Sequence, residues 1–259
     1  MTNPDSVLLH ETLDGVRVLR LNRPNKMNGI TAELAVAIIE AMEAAQSDNN
    51  VRVVGLTGEG RGFCAGADIG GSKFSDFSPD PIDDLGVIGR LALAIRVNCD
   101  KPVIAGINGM AIGGGVALAM IADIRIASSA ATFNPGYARI ATSPDCGLTW
   151  TLPQAIGHEQ AMRFLLEQET LNAEAALRIG MVGEVAAADG FDESFINYCK
   201  KIAQASPYAL RQTKSLINKA EIGIDLNSLL QDEVRCANRG IKSSDGQAAI
   251  KALFSKQKN

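Results

Sequence analysis

Aromatic and imidazole side chains are scarce: eight Phe, three Tyr, one Trp and two His in 259 residues. Neither His10 nor His158 stands in a serine and carboxylate pattern, and no G-x-S-x-G occurs, so a Ser-His-Asp hydrolase finds no support. The five cysteines, Cys64, Cys99, Cys146, Cys199 and Cys236, are scattered, odd in number and without C-x-x-C spacing. That pattern indicates neither zinc nor a disulfide framework, and reduced thiols in a cytoplasmic protein are expected. A basic block is also missing: 25 Lys and Arg against 29 Asp and Glu leave a formal net charge of −4. Nucleic acid is therefore not an expected partner, and small molecules are. The opening MTNPDSVLLH has no basic region followed by an apolar core, so a secretory leader is not expected. What remains is 46% hydrophobic and 21% charged, ordinary for a soluble protein of one large domain with or without an appendage.

The chain is organised around residues 103–123, VIAGINGMAIGGGVALAMIAD, which read as buried strand, turn and buried helix. Val103, Ile104 and Ile107 favour a strand, and Asn108 and Gly109 are turn formers. Residues 116–122 favour a helix that is apolar on every side and so must lie inside. Gly113, Gly114 and Gly115 at its start let a ligand approach the main chain, where the first helical N–H groups lack intrahelical partners. That combination suits an anion or oxyanion site. Competing readings are a bilayer span, a glycine-packed core helix and a dinucleotide loop. The first is opposed by Asp100, Lys101 and Asp123, and the last lacks the G-x-G-x-x-G order.

Along the chain, residues 7–21 read as two strands around Asp14 and Gly15, and Thr31 begins a helix reaching about residue 46. Residues 51–57 form a buried strand that runs into a second glycine-rich loop, residues 58–68. A loop or lid is expected over residues 70–85, rich in Gly, Ser, Asp and Pro, before helical periodicity returns over 83–97. Strands follow at 124–127 and 132–133. The remainder is mostly helical: 158–168, 172–179, 192–205 ending before Pro207, and 225–239, with a short strand at 181–185. Ser244 with Gln247 suggests a capping box for a last helix, whose face of Ala248, Ala249, Ala252 and Leu253 must pack on the body or on another subunit.

Four motifs in order, Asn22-Arg-Pro24, Phe63-Cys-Ala-Gly-Ala-Asp68, residues 102–109 (PVIAGING) and Gly113-Gly-Gly115, together resemble the crotonase family, the enoyl-CoA hydratase and isomerase fold. The match runs from about residue 7 to 254. The resemblance implies an α/β fold: a spiral of β-β-α units over residues 1–190 and a C-terminal helical trimerisation region over 191–259. It implies homotrimers or dimers of trimers, an acyl-CoA thioester as partner, no membrane association, no metal and no cofactor beyond the coenzyme A of the substrate. The thioester oxygen would sit between two main-chain N–H groups, carried over to Ala67 and Gly114. Taking a proton from the carbon beside a thioester makes a thioenolate whose charge collects on oxygen, which fixed donors stabilise as it forms.

The acid and base positions depart from the hydratases: their two glutamates fall on Ala117 and Tyr137, which puts ordinary hydration in doubt. Asp145 remains. Residues 143–150, SPDCGLTW, look like the same segment of the ring-epoxide isomerases of phenylacetyl-CoA breakdown, and dienoyl-CoA isomerases and aryl-CoA dehalogenases keep an aspartate there. A single carboxylate suits an allylic proton shift, and burial could raise its pKa toward a useful base strength. The structural alternative is that Asp145 caps a helix over 147–155. Candidate substrate contacts are Lys26, Ala65, Asp68, Ile69, Tyr137 and Trp150; Asp68 competes as a loop-ordering carboxylate, and the aromatics as core. An isomerase is expected, with a hydrolase or dehalogenase, a hydratase, or a non-catalytic acyl-CoA-binding subunit as alternatives.

Overall fold

The computed structural model describes residues 5–70 and 84–256; the loop or lid expected over 70–85 therefore lies, for 71–83, outside the described residues. Asp14 and Gly15 take positive φ, 50° and 83°, the pair a tight hairpin with right-handed twist requires. They join β1 (Leu8–Leu13) to β2 (Val16–Leu21) in antiparallel register. Thr31 opens α1 (Ala32–Ser47), its hydroxyl accepting from the Leu34 N–H at 3.2 Å. Leu34, Ile38, Met42 and Ala45 then bury one face at helical spacing.

From there one step repeats. β3 (Val53–Gly58) is followed by β4 (Gly62–Cys64) and α2 (Gly86–Leu93); β5 (Val103–Ile107) by β6 (Met110–Ile112) and α3 (Gly114–Met120); β7 (Ile124–Ser128) by β8 (Thr132–Asn134) and, after a loop, α4 (Leu148–Ile156). The first strand of each pair enters a six-stranded sheet of order β1-β2-β3-β5-β7-β10, and the second a four-stranded sheet of order β4-β6-β8-β9. α5 (His158–Glu167) leads to β9 (Leu171–Asn172) and α6 (Ala173–Arg178) to β10 (Glu184–Ala186), and these two strands form the last edges of the small and the large sheet. This is the expected α/β spiral of β-β-α units. Every residue of β3 and β5 is buried, as strands covered on both faces must be. On the second face of the large sheet, α7 (Phe191–Ala203) lays Phe195 over Gly55 and Gly106; a Cβ at Gly106 would lie 2.6 Å from that ring.

Several local expectations need correction. The stretch 103–123 is two strands and a seven-residue helix, and among the described residues no helix is long and apolar enough to cross a membrane. Pro207 does not merely end α7; it is the first residue of an unexpected helix, α8 (Pro207–Glu221), where its missing N–H costs nothing. α9 (Leu226–Lys242) is capped by Asp225, and α10 (Ser244–Lys256) by Ser243 rather than Ser244, the Ser243 hydroxyl accepting from the Gly246 N–H at 3.0 Å. Leu253 and Phe254 stay exposed on the single chain.

The spiral is drawn tight where α3 meets β4. A Cβ on Gly115 would stand 2.0 Å from the Cys64 carbonyl oxygen, with main chain on both sides of the clash. Gly115→Ala is expected to cost about 3 kcal/mol or more of stability, read as a lowered urea midpoint. Gly114→Ala, whose added carbon would meet nothing nearer than 3.5 Å, should leave that midpoint close to wild type.

Candidate active site

β4, β6 and β8 pair in parallel, with Cys64 opposite Ala111 and Ala111 opposite Phe133, so their C-terminal ends lie side by side. The loop after each delivers one part of a site. After β4, the loop runs back along residue 30: the Ile30 N–H donates to the Gly66 carbonyl at 2.7 Å, and the Asp68 N–H to the Ile30 carbonyl at 2.9 Å. A parallel bridge of this kind turns the intervening Ala67 N–H to the opposite side. After β6, Gly113 turns at φ 52° and Gly114 opens α3, where its N–H has no intrahelical acceptor. Neither amide has an acceptor among the described residues. The two loops touch: a Cβ on Gly66 would lie 3.1 Å from the Gly114 nitrogen, and one on Gly114 3.7 Å from the Ala67 nitrogen.

After β8, the ladder continues through the Gly113 N–H donating to Asn134 at 3.0 Å, and the chain then makes a short 3-10 turn, Tyr137–Ile140, before Asp145. All three loops wall one cavity of about 230 Å³. Ala65, Ala67, Ile69, Gly114, Tyr137 and Asp145 line it, with Ile30, Ile88, Leu91, Ile112 and Ile140 making it predominantly aliphatic. Asp145 exposes surface to this cavity, yet the packing around its carboxyl is dense enough that burial raises its pKa, partly offset by a hydrogen bond donated from the Tyr137 hydroxyl at 2.9 Å. Burial also raises the Tyr137 phenol and pushes the neighbouring Cys146 thiol up to about 12, so both are neutral at ordinary pH.

The helix-cap reading of Asp145 is not what the structure shows. Gly147, at φ 76°, stands at the cap of α4, and no side chain accepts there. Ala117 is fully buried in the core. Three other candidates lie away from the cavity wall. Asp68 pairs with Arg23 at 2.7 Å, the loop-ordering arrangement. Lys26 is exposed in the 3-10 turn Pro24–Lys26, and Trp150 lies beneath the Arg96 guanidinium, 5.6 Å from the ring centroid. Among the described residues, no three His, Cys, Asp or Glu side chains are placed to hold a metal ion.

A sequence profile of the enoyl-CoA hydratase/isomerase family matches residues 11–258. The chain belongs to that family. It is 33% identical to the 1,2-epoxyphenylacetyl-CoA isomerase of Escherichia coli over 261 residues, covering 96% of this chain and 97% of that one. It is 34% identical to the (E)-benzylidenesuccinyl-CoA hydratase of Thauera aromatica over 209 residues, 79% of each. The crystal structure of an enoyl-CoA hydratase from Bacillus anthracis superposes with a TM-score of 0.88 at 29% identity, covering 96% of both chains. Two free amides and a carboxylate of raised pKa in one cavity are thus found in an acyl-CoA enzyme of the hydratase/isomerase family.

Within this family member, sequence reasoning passed over two side chains that hold the first loop. Arg23 reaches both the Gly29 carbonyl and Asp68. Asn28, fully buried at φ 55°, accepts from the Arg23 N–H at 2.9 Å and donates to the Gly62 and Glu59 carbonyls at 2.8 and 3.0 Å. The Asn22-Arg-Pro24 motif was the available signal, but its use is a long-range contact that spacing does not reveal. Arg23→Met is expected to lower stability by about 2 kcal/mol. By loosening the Ala67 amide it should also cut kcat/KM by up to about 10²-fold, a split that unfolding curves and steady-state kinetics on the same sample would show.

Proposed function

We propose that this enzyme isomerises an acyl-CoA thioester, shifting a double bond or opening a ring epoxide, with Asp145 as proton shuttle and the amides of Ala67 and Gly114 holding the thioenolate oxygen. The observation that carries the reading is the meeting of two unpartnered amides and one carboxylate in a single aliphatic cavity. Asp145 takes a proton from C2 of a 3-enoyl-CoA, electrons move onto the thioester oxygen, and the same carboxyl returns the proton at C4. One group acting twice on one face suffices, whereas adding water asks for one group to activate water and another to deliver a proton. Ala117 and Tyr137 occupy the positions where the resemblance put the hydratase carboxylates. A raised carboxyl pKa makes a stronger base, and each amide donor is worth about 2.7 to 4 kcal/mol of barrier by analogy with other oxyanion sites.

The predominantly aliphatic lining of the cavity suits an apolar acyl or aryl group. The coenzyme A enters as part of the substrate, and no resident cofactor is assigned. The same proposal includes a cytoplasmic homotrimer or dimer of trimers built through residues 191–259. Leu226, Leu230 and Val234, exposed four residues apart along α9, support that interface.

In heavy water, wild-type enzyme should place deuterium at C2 or C4 of a 3-enoyl-CoA; Asp145→Asn should lose this by about 10³-fold or more while still binding the thioester. Retention of turnover in that variant, or an acyl or aryl ester on Asp145 seen by mass spectrometry, would overturn the shuttle. The pH dependence has a definite sign. Only the carboxylate accepts a proton, so kcat/KM should fall as pH drops through an apparent pKa above the usual carboxylate range. Stability runs the other way: a carboxyl whose folded pKa exceeds its unfolded value binds protons preferentially in the native state, so its contribution grows as pH falls through that window. Asp145→Asn should therefore melt no lower than wild type at neutral pH.

A further inference from the structure

We propose that Tyr137 is a positioning residue for Asp145, its hydroxyl holding the carboxylate in one orientation against the cavity wall and favouring its charged form. This rests on the role given to Asp145 above. The hydroxyl donates to Asp145 Oδ1 at 2.9 Å, and the ring is buried in the wall of the same cavity. The contact is built from a fixed main chain. The Tyr137 N–H donates to the Pro135 carbonyl at 2.9 Å, and the Tyr137 carbonyl accepts from the Thr142 N–H at 3.2 Å. Three residues away, the Asn134 carbonyl accepts from Gly113, the residue before the Gly114 amide. Tyr137 thus ties the orientation of the carboxylate to the strand end that also places an oxyanion donor.

No cation does this work among the described residues. The ionisable groups that couple to Asp145 there are Tyr137 and Cys146, with Cys64 behind Cys146, and burial keeps all three neutral. Arg139, on the same 3-10 turn, is committed to the Gln168 carbonyl at 3.1 Å. A phenol donating to a carboxylate stabilises the charged form without a formal counter-charge, so the base stays ionised while the cavity stays uncharged around the thioester.

The test titrates the Asp145 carboxyl directly by carbon-13 NMR on aspartate-labelled enzyme, with Asp145→Asn identifying the signal. Tyr137→Phe should raise the midpoint by about one pH unit, and the acid limb of kcat/KM should move with it while KM changes by less than about twofold. Site-specific replacement of Tyr137 by 2,3-difluorotyrosine, a stronger donor of nearly the same shape, should move both downward, which also covers a Phe variant that folds poorly. An unchanged midpoint in both variants, or a lower one in Tyr137→Phe, would overturn the assignment. A shifted midpoint whose acid limb does not follow would sustain Tyr137 as the partner of Asp145 and overturn Asp145 as the base.

Discussion

Helix α3 approaches β4 so closely that a hydrogen atom is all that fits between Gly115 and the Cys64 carbonyl, and the geometry of the site follows from that approach. With the helix seated there, its first free N–H, on Gly114, is set beside the loop that leaves β4 and carries the Ala67 N–H. A side chain at 115 would hold the two loops apart and separate the donors. The glycines therefore serve two ends at once: position 113 makes the turn at φ 52°, and position 115 permits the contact. The donors are main-chain groups, one in a loop bridged to Ile30 and one at the start of a buried helix, so in the proposed reaction they would undergo little reorganisation as charge develops between them.

Parallel pairing of the small sheet extends the same logic to the third part of the site. Strand ends that lie side by side place three consecutive loops on one edge, although Ala67, Gly114 and Asp145 stand 47 and 31 positions apart in sequence. The large sheet and α7 lock this return: Phe195 fills the space left by Gly55 and Gly106, where a larger side chain in the strand would collide with the ring. Arg23 and Asn28 then fix the remaining free loop from the other side. Rigidity at the site is thus assembled from packing in one direction and from polar contacts in the other.

Much of this was legible in local chemistry. The hairpin at Asp14 and Gly15, the Thr31 cap and the buried strands at 53–58 and 103–107 follow from turn, capping and hydrophobic patterns that act over a few residues. The glycine loops marked themselves as places of close approach. What stayed hidden depends on distance in sequence or on ambiguity of sign. Pro207 signals both an end and a beginning, so local chemistry alone does not announce α8. β6, three residues between a turn and three glycines, has too few side chains to show a period. Nearness in sequence and analogy do not locate Trp150 and Lys26: Trp150 turns to Arg96 and Lys26 to solvent. Tyr137 was read as a wall of the acyl site; that its hydroxyl meets a carboxylate eight residues on depends on the folded loop between them.

The loss of paired carboxylates and the presence of a phenol bear on each other. Two carboxylates sharing an aliphatic cavity would repel, and burial would press one to keep its proton, a useful state when an acid and a base must act together. In the proposed isomerisation, which uses one carboxylate, the requirement changes: the single group has to stay ionised in surroundings that raise its pKa, and be aimed without a cation that would also attract the thioenolate oxygen away from its amides. A neutral donor meets both conditions. Tyr137, where the resemblance places one of the hydratase acids, offers an uncharged hydrogen bond to Asp145, so on the proposed mechanism the residue that stands in place of one acid supplies the partner the other carboxylate needs.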